Sequence, residues 1–360
     1  MLSKVSSRSF SSSALARASA PIKITSAPLA VSPAVSSLKV IVNGAGSKSG
    51  PAGLAHLTST FSFLDTQSKS ALRLKRESEF LGGAYKSYVT RDAIVLDATF
   101  LKEDLPYFVT ALGSVLTEST YKPHELSEIV LPAVKATYNA AVSSASFIAL
   151  EELHALSFRK GLGSPLYFDG TKSYSVEDIS AFAKSAFTAD AVEIVSSNVT
   201  ESDLQSFIAD SAFSSLPASG LASSAKPATF VGAESRIRSA GPTAAAIGLP
   251  IEDASTYALL SAYLTSEIES TLSTQISTSI KTYKDASLFY FVAESSSSAE
   301  VAAAIKKAAA ALKSAKGLAK FAKLAQFQTG LTGGKDTVSV SKFNYVAVGD
   351  IDALPFADEL

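Results

Sequence analysis

The chain has 360 residues, of which 47% are hydrophobic and 18% charged, with a formal net charge of −1 and no Cys. That length accommodates two domains of ordinary size, and the near-neutral balance gives no electrostatic footprint for nucleic acid. The missing Cys excludes disulfides and thiolate metal sites. Any metal or acid–base chemistry must therefore use His56, His124, His154 and the carboxylates.

The first 64 residues hold six basic residues and no Asp or Glu. The opening MLSKVSSRSFSSSALARASA is rich in Ser, Ala and Arg, the composition of a mitochondrial transit peptide over residues 1–20. Residues 21–37 read as an extended arm, since Pro blocks helix there. LKVIVNG (38–44) reads as a strand, and 52–65 and 69–82 read as helices. YKSYVT (85–90) and DAIVLDATF (92–100) read as paired strands. Helical periodicity follows in LKEDLPYFVTALGSVL and over 123–141, 145–159 and 175–187. AVEIVSSNV (191–199) reads as a closing strand, and the Pro/Ser/Gly/Ala stretch after it as a linker.

The pattern then begins again. TAAAIGLPI (243–251) takes the place of the first strand, and STYALLSAYL and EIESTLSTQI take the places of two helices. ASLFYFVAES (286–295) resembles DAIVLDATF, a helix follows at 298–314, and NYVAVGD (344–350) closes the half. Two copies of one strand–helix–helix–strand–strand–helix unit imply an α+β fold, each sheet carrying helices on one face. No run of about 18 apolar residues is present, so no membrane span is expected.

Local motifs for chemistry are sparse. NGAGSKSGPAG (43–53) has glycines between a strand and a helix, but it lacks the third Gly, second strand and acidic residue of a dinucleotide turn. It reads as a flexible turn. No G-x-S-x-G elbow is present.

The stretch GLAHLTSTFSFLDT (53–66) resembles the first helix of the insulinase-type metallopeptidases. That family carries H-x-x-E-H there, two His ligands with a Glu general base. Here the first ligand position is His56, the base position is Ser59 and the second ligand position is Thr60. The family's third ligand, a Glu, lies on a helix roughly 75 residues downstream, and a catalytic zinc needs three such protein ligands. IVLPAVKATYNAAVSSASFIAL (129–150) contains no acid at all. The resemblance continues through Phe63 and Thr66, through Glu79, Gly83, Ala84, Thr90 and Arg91, through Leu153 to Leu166, and through GAESRIR (232–238).

This resemblance implies two tandem peptidase-like domains, 21–215 and a shortened 228–360, joined by a linker at 216–227. It implies a degenerate site at His56, Ser59 and Thr60, with no catalytic residue, no bound metal and no cofactor. The family's mitochondrial members are the processing peptidase subunits and the core proteins of the cytochrome bc1 complex. The non-catalytic processing subunit uses a Gly-rich loop in its second domain, whereas this chain has no glycine between Gly248 and Gly317. The core-protein branch is therefore expected, and a presequence-recognising processing subunit is the alternative. The partners so implied are the companion core protein (core protein 1), cytochrome b, cytochrome c1, the Rieske protein, the small subunits and a second copy in the dimeric complex. The implied place is peripheral, on the matrix side of the inner membrane.

Overall fold

Residues 22–27, 34–220, 227–269 and 275–360 are described in the computed structural model. The expected transit peptide lies outside them, as do residues 221–226 of the expected linker.

The first half runs β1 (Lys23–Ala27), β2 (Val35–Asn43), α1 (Leu54–Phe61), α2 (Ala71–Phe80), β3 (Ala84–Val89), β4 (Ala93–Leu101) and α3 (Leu105–Thr117). A long helix follows, made of α4 (Pro123–Glu125), a wider π turn (Leu126–Val130) and α5 (Leu131–Val142). Pro132 has no N–H to give, and the wide turn just before it accommodates the loss. Then come α6 (Ala145–Phe158), α7 (Val176–Ala186), β5 (Val192–Ser197) and α8 (Glu201–Ala209). Helix starts follow the capping residues: Ser70, Ser144 and Ser175 accept from the N–H groups of Arg73, Phe147 and Asp178.

The strands assemble in the order β1-β5-β2-β4-β3, with β1 parallel to β5 and the other pairs antiparallel. On β2, Ser36, Leu38, Val40 and Val42 are buried while their neighbours are only half-buried. One face of this sheet thus carries the core and the other stays partly open.

The second half runs β6 (Glu234–Arg238), β7 (Thr243–Ile251), α9 (Ala254–Glu269), β8 (Gln275–Thr282), β9 (Ser287–Ser295), α10 (Ser298–Ser314), β10 (Ala315–Lys316), α11 (Ala322–Thr329), β11 (Thr337–Val338) and β12 (Asn344–Gly349). Its main sheet has the order β6-β12-β7-β9-β8, again with one parallel outer pair and three antiparallel pairs. The duplication read from the sequence is thus a repeated topology.

Two expectations need correction. EIESTLSTQI (267–276) is not a second helix: residues 267–269 end α9, and Gln275 and Ile276 begin β8. The alternation in QISTSIKT suits a strand, and β8 fills beside β9 the place that β3 fills beside β4. Nor does each sheet carry helices on one face only. In the second sheet Ala245, Ile247, Phe289 and Phe291 pack with α9 and α10, while Ala244, Ala246, Leu288, Tyr290, Val346 and Val348 pack with Ala145, Ala149, Leu153 and Phe158 of α6. A helix from the first half therefore roofs the sheet of the second.

Small residues set that approach. A Cβ on Gly248 would lie 2.6 Å from Leu153 Cδ2 and 2.6 Å from the Phe289 carbonyl oxygen. Polar groups fasten the same seam. Lys48, 6% exposed in its side chain, reaches Asp92 at 2.6 Å and Asp285 at 2.8 Å, so it ties both halves together. Burial opposes its charge, but the bonds to Asp285 and Asp92 outweigh burial and raise its pKa. The backbone N–H of Lys284 donates to Asp92 as well, at 3.0 Å. The turn holding Lys48 is thus buried and bonded, not flexible as its glycines suggest. A Cβ on Gly46 would meet the Arg91 carbonyl oxygen at 2.3 Å.

Leu153→Ala removes a fully buried side chain from the seam and is expected to cost about 2–5 kcal/mol. Denaturant unfolding of the full chain measures this. A loss below about 0.5 kcal/mol would mean that α6 does not hold the halves together.

Candidate functional site

α1 begins after Gly53, whose φ of 83° requires a residue tolerant of the left-handed region. Its Cβ would also sit 2.7 Å from the Phe168 ring, so only Gly fits here. From this start α1 carries His56, Ser59 and Thr60 into one cleft of about 610 Å³. Thr137 of α5, Ser87 of the edge strand β3 and Tyr167 also line it.

The three expected positions are together, but each is already engaged. His56 is 6% exposed, and its Nδ1 accepts the backbone N–H of Phe168 at 3.2 Å. With Nδ1 as acceptor, the neutral ring carries its proton on Nε2 and offers a donor to the cleft, not a lone pair. Burial lowers its pKa to about 4, so the ring is neutral near pH 7. Tyr167 packs beside it, with ring centroids 4.8 Å apart. The Ser59 hydroxyl lies 2.8 Å from that of Ser87, and Ser87 also donates to the Ser59 carbonyl at 2.8 Å. The pair pins α1 to β3. The Thr60 hydroxyl turns back onto its own helix and donates to the His56 carbonyl at 2.9 Å.

Sequence reasoning missed Thr137. It stands on the cleft wall where a side chain of α5 faces α1, and its hydroxyl donates to Ala133 at 3.0 Å. Its signal was helical phase: on an acid-free helix, one particular turn faces the cleft. Among the described residues, no group of three or more His, Asp or Glu is placed to hold a metal ion. Beside His56 the cleft offers the hydroxyls of Ser59, Thr60 and Thr137, which give hydrogen bonding and little Lewis-base strength toward zinc.

The other matched segments do structural work. Arg91, 4% exposed, donates to the carbonyls of Leu162 (2.8 Å) and Ser164 (2.6 Å) and pairs with Glu151. Glu151 in turn accepts from the N–H of Leu166 at 2.9 Å. Arg91 and the Gly161–Leu166 segment thus form one network. His154 on α6 donates from Nδ1 to the Leu150 carbonyl at 2.6 Å and accepts the Tyr283 hydroxyl at Nε2, also 2.6 Å. This histidine joins the halves. Burial, with Arg91 nearby, lowers its pKa to about 3. His124 begins the long helix at α4 and is exposed, away from the cleft.

The repeated α/β unit and the α1 helix facing α5 define an insulinase-type fold, whose cleft sets His56 beside the hydroxyls of Ser59, Thr60 and Thr137. The comparisons agree. Residues 31–170 match the family model described as "Insulinase (Peptidase family M16)". A solved peptidase M16 inactive domain from Pseudomonas fluorescens shares the fold with a TM-score of 0.71 at 16% identity, over 91% of this chain and 95% of that one. A protease from Helicobacter pylori gives 0.67 at 14%, over 92% and 98%. Identity is much higher to "Cytochrome b-c1 complex subunit 2, mitochondrial" of Debaryomyces hansenii, 44% over 100% of both chains. The protein of that name from Saccharomyces cerevisiae is 41% identical over 91% of this chain and 93% of its own. The chain belongs to the insulinase (peptidase M16) family, in the group formed with these cytochrome b-c1 complex subunit 2 proteins.

Both buried histidines make stability fall in acid. Their folded pKa values lie below the unfolded value near 6.5, so the unfolded chain binds protons that the native chain refuses. Their contribution is complete above pH 6.5 and is lost as pH falls toward about 4 for His56 and about 3 for His154. The unfolding midpoint is expected to drop between pH 6.5 and 4, and less steeply in His154→Gln. An identical slope in that variant would contradict the assignment.

Proposed function

We propose that this chain is a non-catalytic core subunit of the mitochondrial cytochrome bc1 complex, respiratory complex III. Its role is assembly and stability of the complex that passes electrons from ubiquinol to cytochrome c. The observation that carries this reading is the 44% identity over the full length of both chains to the Debaryomyces hansenii subunit 2. The cleft supports it: His56 is committed to Phe168, and Ser59 and Thr60 bond within the fold. On this reading His56, Ser59 and Thr60 are remnants of a zinc site and neither bind metal nor catalyse.

The reading extends to organisation and partners. Residues 1–20 are a transit peptide, and 21–215 and 228–360 are two peptidase-like domains linked by 216–227. The subunit pairs with core protein 1 and contacts cytochrome b, cytochrome c1, the Rieske protein, small subunits and the second copy in the dimer. It sits peripherally at the matrix side of the inner membrane. In keeping with this, no helix among the described residues is long and apolar enough to cross a membrane. The rival, a processing peptidase subunit, has weaker support: the subunit beta of Blastocladiella emersonii is 29% identical over 56% of this chain.

Gentle solubilisation followed by native electrophoresis separates the two. The chain is expected to migrate with b- and c-type heme in one large assembly. Migration apart from heme, together with presequence-cleaving activity, would favour the rival. Metal analysis of the purified chain is expected to find no stoichiometric zinc. An equivalent of zinc lost in His56→Ala would overturn the degenerate-site reading.

A further inference from the structure

Charge is distributed unevenly over the second half. Between Val301 and Gly334 there are six lysines, no arginine and no Asp or Glu. Lys306 and Lys307 lie on α10, Lys313 at its end, Lys316 in β10, Lys320 in the 3-10 turn just before α11, and Lys323 on α11. All six are exposed. Lys306, Lys313, Lys316, Lys320 and Lys323 make no ion pair with any of the described residues. Lys335, just beyond, stands near Asp253 and is partly compensated. The acids that flank the stretch are Glu300, which accepts the Ser295 hydroxyl, and Asp336, one of whose carboxylate oxygens accepts the N–H of Ala319.

Beside Lys323, α11 exposes two apolar tips, Leu324 at 37% and Phe327 at 90%, while Ala325 anchors it to the core. We propose that this face docks on an anionic phospholipid surface, with the lysines among the headgroups and Phe327 and Leu324 dipping below them. Two features favour a bilayer over an acidic protein. Protein interfaces are depleted in Lys and enriched in Arg, whose rigid fork pairs with carboxylates. A diffuse field of lysines on flexible stems, flanking an exposed aromatic, instead suits a surface of mobile charges. This inference does not depend on membership of the bc1 complex.

The test is co-sedimentation of the full chain with vesicles at physiological ionic strength. One set is phosphatidylcholine alone and the other is phosphatidylcholine mixed with phosphatidylglycerol. The chain is expected to bind only the mixed vesicles. The variant Lys316→Gln/Lys320→Gln/Lys323→Gln is expected to bind about a hundredfold more weakly, from the contribution of each lysine near such a surface. Phe327→Ser should weaken binding less and leave its salt dependence unchanged. A control, Lys102→Gln/Lys135→Gln/Lys172→Gln, removes three exposed lysines from the first half and should bind as the parent does. All four proteins must share one circular dichroism spectrum, which separates lost binding from lost folding. Equal binding to both vesicle types, or equal loss in the control, would overturn the proposal. So would failure to bind vesicles with salt-sensitive retention on polyglutamate, which would point to an acidic protein instead.

Discussion

Helix α6 leaves the first half of the chain and lies on the second sheet, where Ala244, Ala246 and Gly248 let it come close enough for Leu153 to be fully buried. Around that contact the polar seam closes. His154 of α6 meets Tyr283, Lys48 joins Asp92 to Asp285, and Asn344 of β12 donates to the Ser157 hydroxyl at 2.9 Å. Each half supplies a sheet with one buried face. Among the described residues, the second sheet gains its other covering from α6 and from Leu162 just after it, so the halves are held in one arrangement by apolar area and fixed in register by hydrogen bonds. Buried ion pairs of this kind add little net stability over apolar packing, but removing one partner strands a charge at a cost of about 3–5 kcal/mol.

The same logic explains what the cleft retained. A fold can be kept while its chemistry changes, because chemistry resides in a few side chains and stability in many. Where the family carries its Glu base and second His ligand, α1 here has Ser59 and Thr60, small polar groups that bond internally. Ser59 now holds β3, and Thr60 satisfies its own helix. The His56 ring fills space beside Tyr167 and accepts the Phe168 N–H, which burial would otherwise leave unpaired.

Much of this was legible in the sequence where local pattern and tertiary environment agree. β2, β3, β4, α3 and β12 fall within a few residues of their expected places because alternation or helical spacing declares a buried face. β8 departs from the expected helix because EIESTLSTQI holds no Gly or Pro to mark a change from helix to strand. α8 was missed because ESDLQSFIA buries only Leu204 and Ile208, too little for a periodic signal. The partner of α6 lies beyond local reading altogether. Its apolar residues run round the helix, which signals burial on more than one side but not against which sheet. At the site, His56, Ser59 and Thr60 could be placed by motif spacing, whereas Thr137 needed the geometry of α5 across the cleft. The role of the 43–53 turn was hidden for the same reason, since Asp285 lies far away in sequence.

The central claim is that this chain acts through its packing and interfaces, with the old cleft dispensable. Ubiquinol–cytochrome c reductase activity, in mitochondria whose own subunit has been replaced by this chain, tests it most directly. The account predicts parental activity when Ser59 and Thr60 are both changed to Ala, and a severe loss when Gly248 is changed to Val and α6 is forced off the sheet. Loss of activity in the cleft variant at normal assembly, with the Gly248→Val chain still active, would contradict it.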